Sequence, residues 1–99
     1  MTDGDFPRIH PGEILLAEFL EPMGIAQDRL AEDISVSPRL IAEIVRGARA
    51  ISADSALRLG RYFGIEPVFW LNLQDRYDLI VAEQYLSTRL DREVRPYAA

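Results

Sequence analysis

The chain has 99 residues, 48% hydrophobic and 27% charged, with a formal net charge of -5 and no cysteine. This is enough for one domain around one core, and it excludes disulfides, thiolate metal sites and cysteine nucleophiles, which suits a cytoplasmic protein. Apolar runs such as ILLA at 14–17 and LIVA at 79–82 fall far short of the ~20 residues that span a bilayer. The early Asp3 and Asp5 do not fit a signal peptide, so no membrane partner is expected.

Helical periodicity runs through the chain without convincing strand alternation, which predicts an all-α fold of five helices. Residues 1–9 read as a flexible polar lead-in. Pro11-Gly12 opens a first helix to about Leu20, with Ile14, Leu15, Phe19 and Leu20 inward and Glu13, Glu18 and Glu21 in water. Pro22 and Gly24 are expected to end it. His10-Pro11 belongs to the turn leading in. A single histidine cannot build a multi-His metal site, and there is no Gly-rich phosphate loop, so neither a cofactor nor an enzyme is expected.

A second helix runs from about Gln27 to Ile34, with Leu30, Ala31 and Ile34 inward. Ser37 is the N-cap of the third and Pro38 its first residue, where the missing N–H costs nothing; Gly47 is a natural stop. After the loop ARAI, Ser52 caps a fourth helix through Phe63, closed by Gly64. Pro67 starts the fifth and longest, which reaches Leu86 or Leu90, and residues 89–99 read as a frayed tail. The domain proper therefore covers residues 10–88. The fifth helix is apolar around most of its circumference, so one face is left for a second chain to cover unless helices one and four wrap it fully. Phe69, Trp70, Leu73, Tyr77, Ile80 and Val81 are the expected homodimer contacts. Asp75, Arg76 and Asp78 form either a polar rim to that interface or local i, i+3 pairs, the rim being preferred.

All eleven cations are arginine, the better group for bidentate contact with phosphate and guanine, although high G+C content also favours it. Residues 1–24 carry -4, residues 25–61 carry +1 and residues 62–99 carry -2, so the acidity sits at the two ends. The middle segment holds QDRLAEDISVSPRLIAEIVRG, residues 27–47, two short helices on a tight turn. Such a corner is either a DNA reader or a compact part of a helical core. Ala31 is small where the helices cross, Val36 plugs the turn, and Ile41, Ile44 and Val45 form a buried stripe at i, i+3 and i+4.

Pro38, Arg39, Ala42, Glu43 and Arg46 then lie outward, with Ser37 at the leading end. Arg39 is the candidate base reader, because a guanidinium bonds both O6 and N7 of guanine. Glu43 either accepts from a cytosine N4 or only orients Arg39 at i, i+4. Leu40 sits on the border between core and a thymine methyl contact. Gln27 suits a phosphate at the head of the second helix, and Arg46 and Arg49 suit phosphates at the far end of the third. Singly, each outward arginine is better explained as a solvated charge; the joint spacing of Gln27, Ala31, Val36, Ser37 and Ile41 is what favours DNA.

The stretches HPGEILLAEFLEPMGIAQDRLAEDISVSPRLIAEIVRGARAIS and DSALRLGRYFGIEPVFWLNLQDRYDL resemble the HigA-type antitoxins, within the Xre or lambda-repressor-like helix-turn-helix proteins, over about residues 9–82. The HPGE opening, the LA…VS…I…G core and the FWLNLQ…YDL segment carry the resemblance. It implies a lambda-repressor-like DNA-binding domain whose long C-terminal helix serves dimerisation. It also implies a homodimer that represses its own toxin–antitoxin operon on double-stranded operator DNA and neutralises a HigB-type toxin, a small basic mRNA-cleaving ribonuclease. Carried over by position, Gln27, Ser37, Pro38, Arg39 and Glu43 fall at DNA-contacting places, and Arg46 and Arg49 at backbone-contacting ones.

Ser35 departs from the pattern, standing where a glycine usually ends helix two. Arg46 and Ala48 replace the more usual Asn and Lys around Gly47, which shifts the expected phosphate contacts between those positions. The acidic surface of residues 1–24 complements a basic toxin or is simply solvated. Two rival readings remain at this stage: an Xre-type regulator with no toxin partner, and a toxin-binding module that does not bind DNA.

Overall fold

The computed structural model describes residues 8–98, which are helical wherever they are regular. Five helices follow one another: α1 (residues 11–23), α2 (Gln27–Asp33), α3 (Pro38–Val45), α4 (Ala53–Phe63) and α5 (Pro67–Glu93). The flexible segment expected over residues 1–9 lies outside the described residues except for Arg8 and Ile9.

The HPGE sequence makes the first joint. His10 caps α1: its Nδ1 accepts from the Gly12 N–H at 2.9 Å, and the Glu13 carboxylate accepts from the His10 N–H at 3.1 Å. This is a reciprocal capping box with histidine in the hydroxyl position. Gly12 is required by proximity. A Cβ at that position would stand 1.8 Å from the Ile44 carbonyl oxygen, so α1 rests directly on the backbone of α3.

Pro22 does not end α1, contrary to expectation; the helix continues through Glu21–Met23 and stops at Gly24, with φ of 66°. The reason lies one turn earlier. Leu15–Leu20 is wound as π-helix, and the Glu21 N–H reaches back to the Leu16 carbonyl. The wider turn relieves the carbonyl that the Pro22 ring would strike in a regular α-helix.

Four of the five helices end alike. The N–H of Ile25, Val36, Ala48 and Ile65 bonds back five residues to Leu20, Ala31, Glu43 and Gly60, at 2.8–3.0 Å. The preceding residue has positive φ each time: Gly24, Ser35, Gly47 and Gly64. This is the Schellman closure, and Ser35 is its only non-glycine example among the described residues.

The core gathers Leu15, Leu30, Ile41, Ile44, Leu59 and Trp70, all fully buried. Phe19 and Phe69 each lie 5.1 Å from the Trp70 ring, and Phe63 lies 6.2 Å away. Trp70 is therefore spent inside the protomer and offers no surface to a second chain. α5 is about 40 Å long at 1.5 Å per residue and gives the molecule extents of 52 × 26 × 22 Å. It outruns the expected stop at Leu86 or Leu90, and Arg89 and Glu93, placed in the frayed tail, form an i, i+4 pair at 3.3 Å in its last turn. Of the described part of the expected tail, only residues 94–98 lack regular structure.

Candidate nucleic-acid interface

The corner between α2 and α3 is built from its ends inward. α2 closes on Ser35, whose φ of 60° is left-handed, and Val36 turns half-buried beneath it. The Ser37 Oγ accepts from the Leu40 N–H at 3.1 Å, and Pro38 occupies the first helical position of α3. Ile41 and Ile44 are fully buried, and Leu40 and Val45 half-buried, so Leu40 belongs mainly to the core. Ser37, Pro38, Arg39 and Arg46 are exposed on the other side.

Two contacts brace the turn from α4. The Arg58 Nη1 donates to the Ile34 carbonyl at 2.8 Å, satisfying a carbonyl at the end of α2. The Tyr62 hydroxyl donates to Asp33 Oδ2, also at 2.8 Å, and that bond holds the phenol above its ordinary pKa. Neither brace was visible in the sequence, since the partners lie 24 and 29 residues apart.

The outward face of α3 carries a three-membered charge cluster. Glu43 Oε2 accepts from the Arg39 Nε at 3.0 Å, while Oε1 lies 2.8 Å from the Arg49 Nε and 2.7 Å from its Nη2. The Arg49 and Arg39 hydrogen bonds, in that order, hold the Glu43 carboxyl below the usual carboxylate range. The Arg39 side chain is 86% exposed and that of Glu43 only 15%, so the arginine is what a ligand meets first. Arg46 has no ion-pair partner among the described residues. Gln27 is half-buried at the head of α2, where Ala26, lacking a side-chain acceptor, leaves the first turn uncapped by a side chain.

The far end of α3 rests on α1 and α5. The ring of His10 lies beneath Gly47, 3.5 Å from where a Cβ would be, and meets Tyr77 of α5 edge-on at 4.9 Å. The loop carrying Arg46 and Arg49 is tied down at its end, where the Ile51 N–H donates to Gln74 Oε1 at 2.8 Å. Gln74 is buried and its Nε2 donates in turn to Asp78, so Asp78 is engaged within the protomer. Among the named interface residues of α5, Trp70 is buried, while Phe69, Leu73, Tyr77, Ile80 and Val81 are half-covered by the protomer itself. The apolar residues most exposed along α5 are instead Leu79 at 69% and Tyr85 at 83%. Their exposure was not legible in the sequence, because apolar residues surround the helix and periodicity gives no face.

The family described as helix-turn-helix matches residues 16–70, from α1 through the corner into α5. This chain belongs to the helix-turn-helix family. Solved structures similar to it include antitoxins of the HigA type. Pseudomonas aeruginosa antitoxin HigA, solved with the higBA promoter, is 43% identical, with a TM-score of 0.89 over 93% of this chain and all of that one. Antitoxin GraA in complex with its operator is 39% identical, with a TM-score of 0.90 over 100% of this chain and 99% of that one. The virulence-associated protein I of Dichelobacter nodosus is 56% identical over 80 residues, which is 81% of this chain and 74% of the relative. The helix-turn-helix fold expected from the sequence is therefore the fold observed. No helix among the described residues is long and apolar enough to cross a membrane.

Proposed function

We propose that this chain is a homodimeric cytoplasmic repressor and antitoxin. It binds the operator of its own toxin–antitoxin operon and neutralises a HigB-type mRNA-cleaving toxin. The observation that carries the DNA reading is the exposed Arg39 at the capped leading end of α3, on a fold shared with two antitoxins solved with promoter or operator DNA. Arg39 reads a base edge in the major groove, Ser37 and Pro38 bring the helix end up to the groove, and Gln27, Arg46 and Arg49 rest on phosphates. Pairing through α5 presents two such helices, about 34 Å apart, to successive major grooves of a palindromic site. The -4 of residues 1–24 keeps the acidity off the reading segment and complements a basic toxin.

Fluorescence anisotropy on the chain's own upstream DNA, beside unrelated DNA and across a salt series, tests the repressor role. Selective binding that weakens steeply with salt is the expected result, since bound phosphates release counterions. Equal affinity for both DNAs at every salt concentration rules it out. The antitoxin role is tested with a small basic ribonuclease encoded in the same operon: adding this chain should stop mRNA cleavage and yield a complex on gel filtration.

A further inference from the structure

Glu43 is the only acid on α3, and a bare carboxylate facing a groove lined by phosphates would weaken binding. In this fold it is not bare. Both oxygens are taken by guanidinium groups that are far more exposed than the carboxylate between them. Arg49 reaches it from the loop beyond Gly47, whose φ of 78° turns the chain back toward the helix it has just left. Arg39 engages Glu43 through Nε alone. Both of its Nη groups therefore remain for a bidentate contact with guanine O6 and N7, the geometry that base reading by arginine requires.

We infer that Glu43 is a positioning residue for DNA reading: it fixes the Arg39 guanidinium for the base edge and joins it to Arg49, so that base reading and backbone contact share one post. This rests on the operator-binding reading above. It separates Glu43 from a residue that itself accepts from a cytosine N4, for which its 15% exposure and two arginine partners leave little access.

The experiment measures anisotropy on the operator and on a set of operators with one base pair changed in each. The proteins are the wild type, Arg39→Ala, Glu43→Ala, the isosteric Glu43→Gln, and the double variant Arg39→Ala/Glu43→Ala. Arg39→Ala should lose discrimination at one base pair by about tenfold or more. Glu43→Ala should lose it at that same base pair. The double variant should lose little beyond either single one, because both remove one contact. Glu43→Gln keeps one acceptor oxygen and should retain part of the discrimination. Removing the negative charge should also tighten binding to unrelated DNA several-fold by charge alone; the readout that a merely structural role for Glu43 would not move is the loss of discrimination confined to the base pair read by Arg39.

Relaxation at a different base pair for Glu43→Ala would overturn the inference, since Glu43 would then be reading a base itself. Undiminished discrimination in both Glu43 variants would overturn it too, while leaving the operator reading intact. Absence of discrimination in the wild type would remove the operator reading, and this inference with it.

Discussion

At the scale of single residues, Ser35 shows what a departure from pattern costs. Three of the four Schellman closures use glycine, and Ser35 takes the same left-handed φ with a Cβ attached. Ser35→Gly should therefore stabilise the fold by up to about 1 kcal/mol, raising Tm by at most roughly 4–8 °C for a domain of this size. Thermal unfolding measures it directly; an unchanged or lower Tm would mean the serine makes a compensating contact. The position was legible beforehand because a glycine was missed there. The consequence of Gly12 was not, since nothing local in HPGE says that α1 will rest on the carbonyl of Ile44, 32 residues away. Arg49 shows the same limit: its basic character was visible, but its place on Glu43 depends on how Gly47 turns the loop.

At the scale of elements, the helices whose ends were readable are those closed by a local signal. Ser37-Pro38 and Gly47 bound α3, and Ser52 and Gly64 bound α4, because caps and left-handed residues act within one turn. The end of α1 was misplaced because its π turn, which admits Pro22, leaves no mark in composition. The start of α1 has a property that can be titrated. Burial pushes the His10 imidazole below its ordinary value of 6.5, against the opposing charges of Asp78 and Glu13. The neutral ring is also what the cap needs, since Nδ1 accepts from Gly12. The folded state thus resists protonation more than the unfolded one. Stability is complete above pH 6.5 and declines as the pH falls through that value toward the lower folded pKa. Melting curves between pH 8 and 5 should show this loss in the wild type and a smaller one in His10→Asn, whose amide oxygen caps without titrating. His10→Ala should cost about 1 kcal/mol above pH 6.5, as for other lost N-caps, and less near pH 5, where the wild type has itself lost part of this contribution.

At the scale of the whole molecule, the parts of α5 have different surroundings. Its first half is core and strut, through Trp70, Gln74 and the contact of Tyr77 with His10. Further along, it leaves Leu79 and Tyr85 in water, an exposure that a second copy of α5 would remove. Leu79→Asp with Tyr85→Asp should shift sedimentation from dimer to monomer and weaken operator binding by at least tenfold, while leaving the melting of the core little changed. A dimer that survives both changes would place the pairing surface elsewhere, nearer the groove that Leu73, Tyr77 and Ile80 line with Ile9 and Ile14. The sequence made the fifth helix conspicuous without saying which residues the protomer keeps for itself. Trp70 reads as interface when only the hydrophobic pattern of α5 is known, and as core once α1 and α4 bring Phe19 and Phe63 to it.

The bond from the Ile51 amide to Gln74 reaches from a surface loop into the protein interior. Ile51 and Gln74 are both buried, whereas Ala48, Arg49 and Ala50 just before them are exposed. In deuterated solvent the amides of Arg49 and Ala50 should therefore exchange within the dead time of the experiment. That of Ile51 should wait for the opening that separates the loop from α5. One slow amide at the end of a fast stretch would report, residue by residue, that the loop carrying Arg46 and Arg49 is anchored to the helix through which the proposed dimer would pair. Its lifetime should lengthen when operator DNA is added.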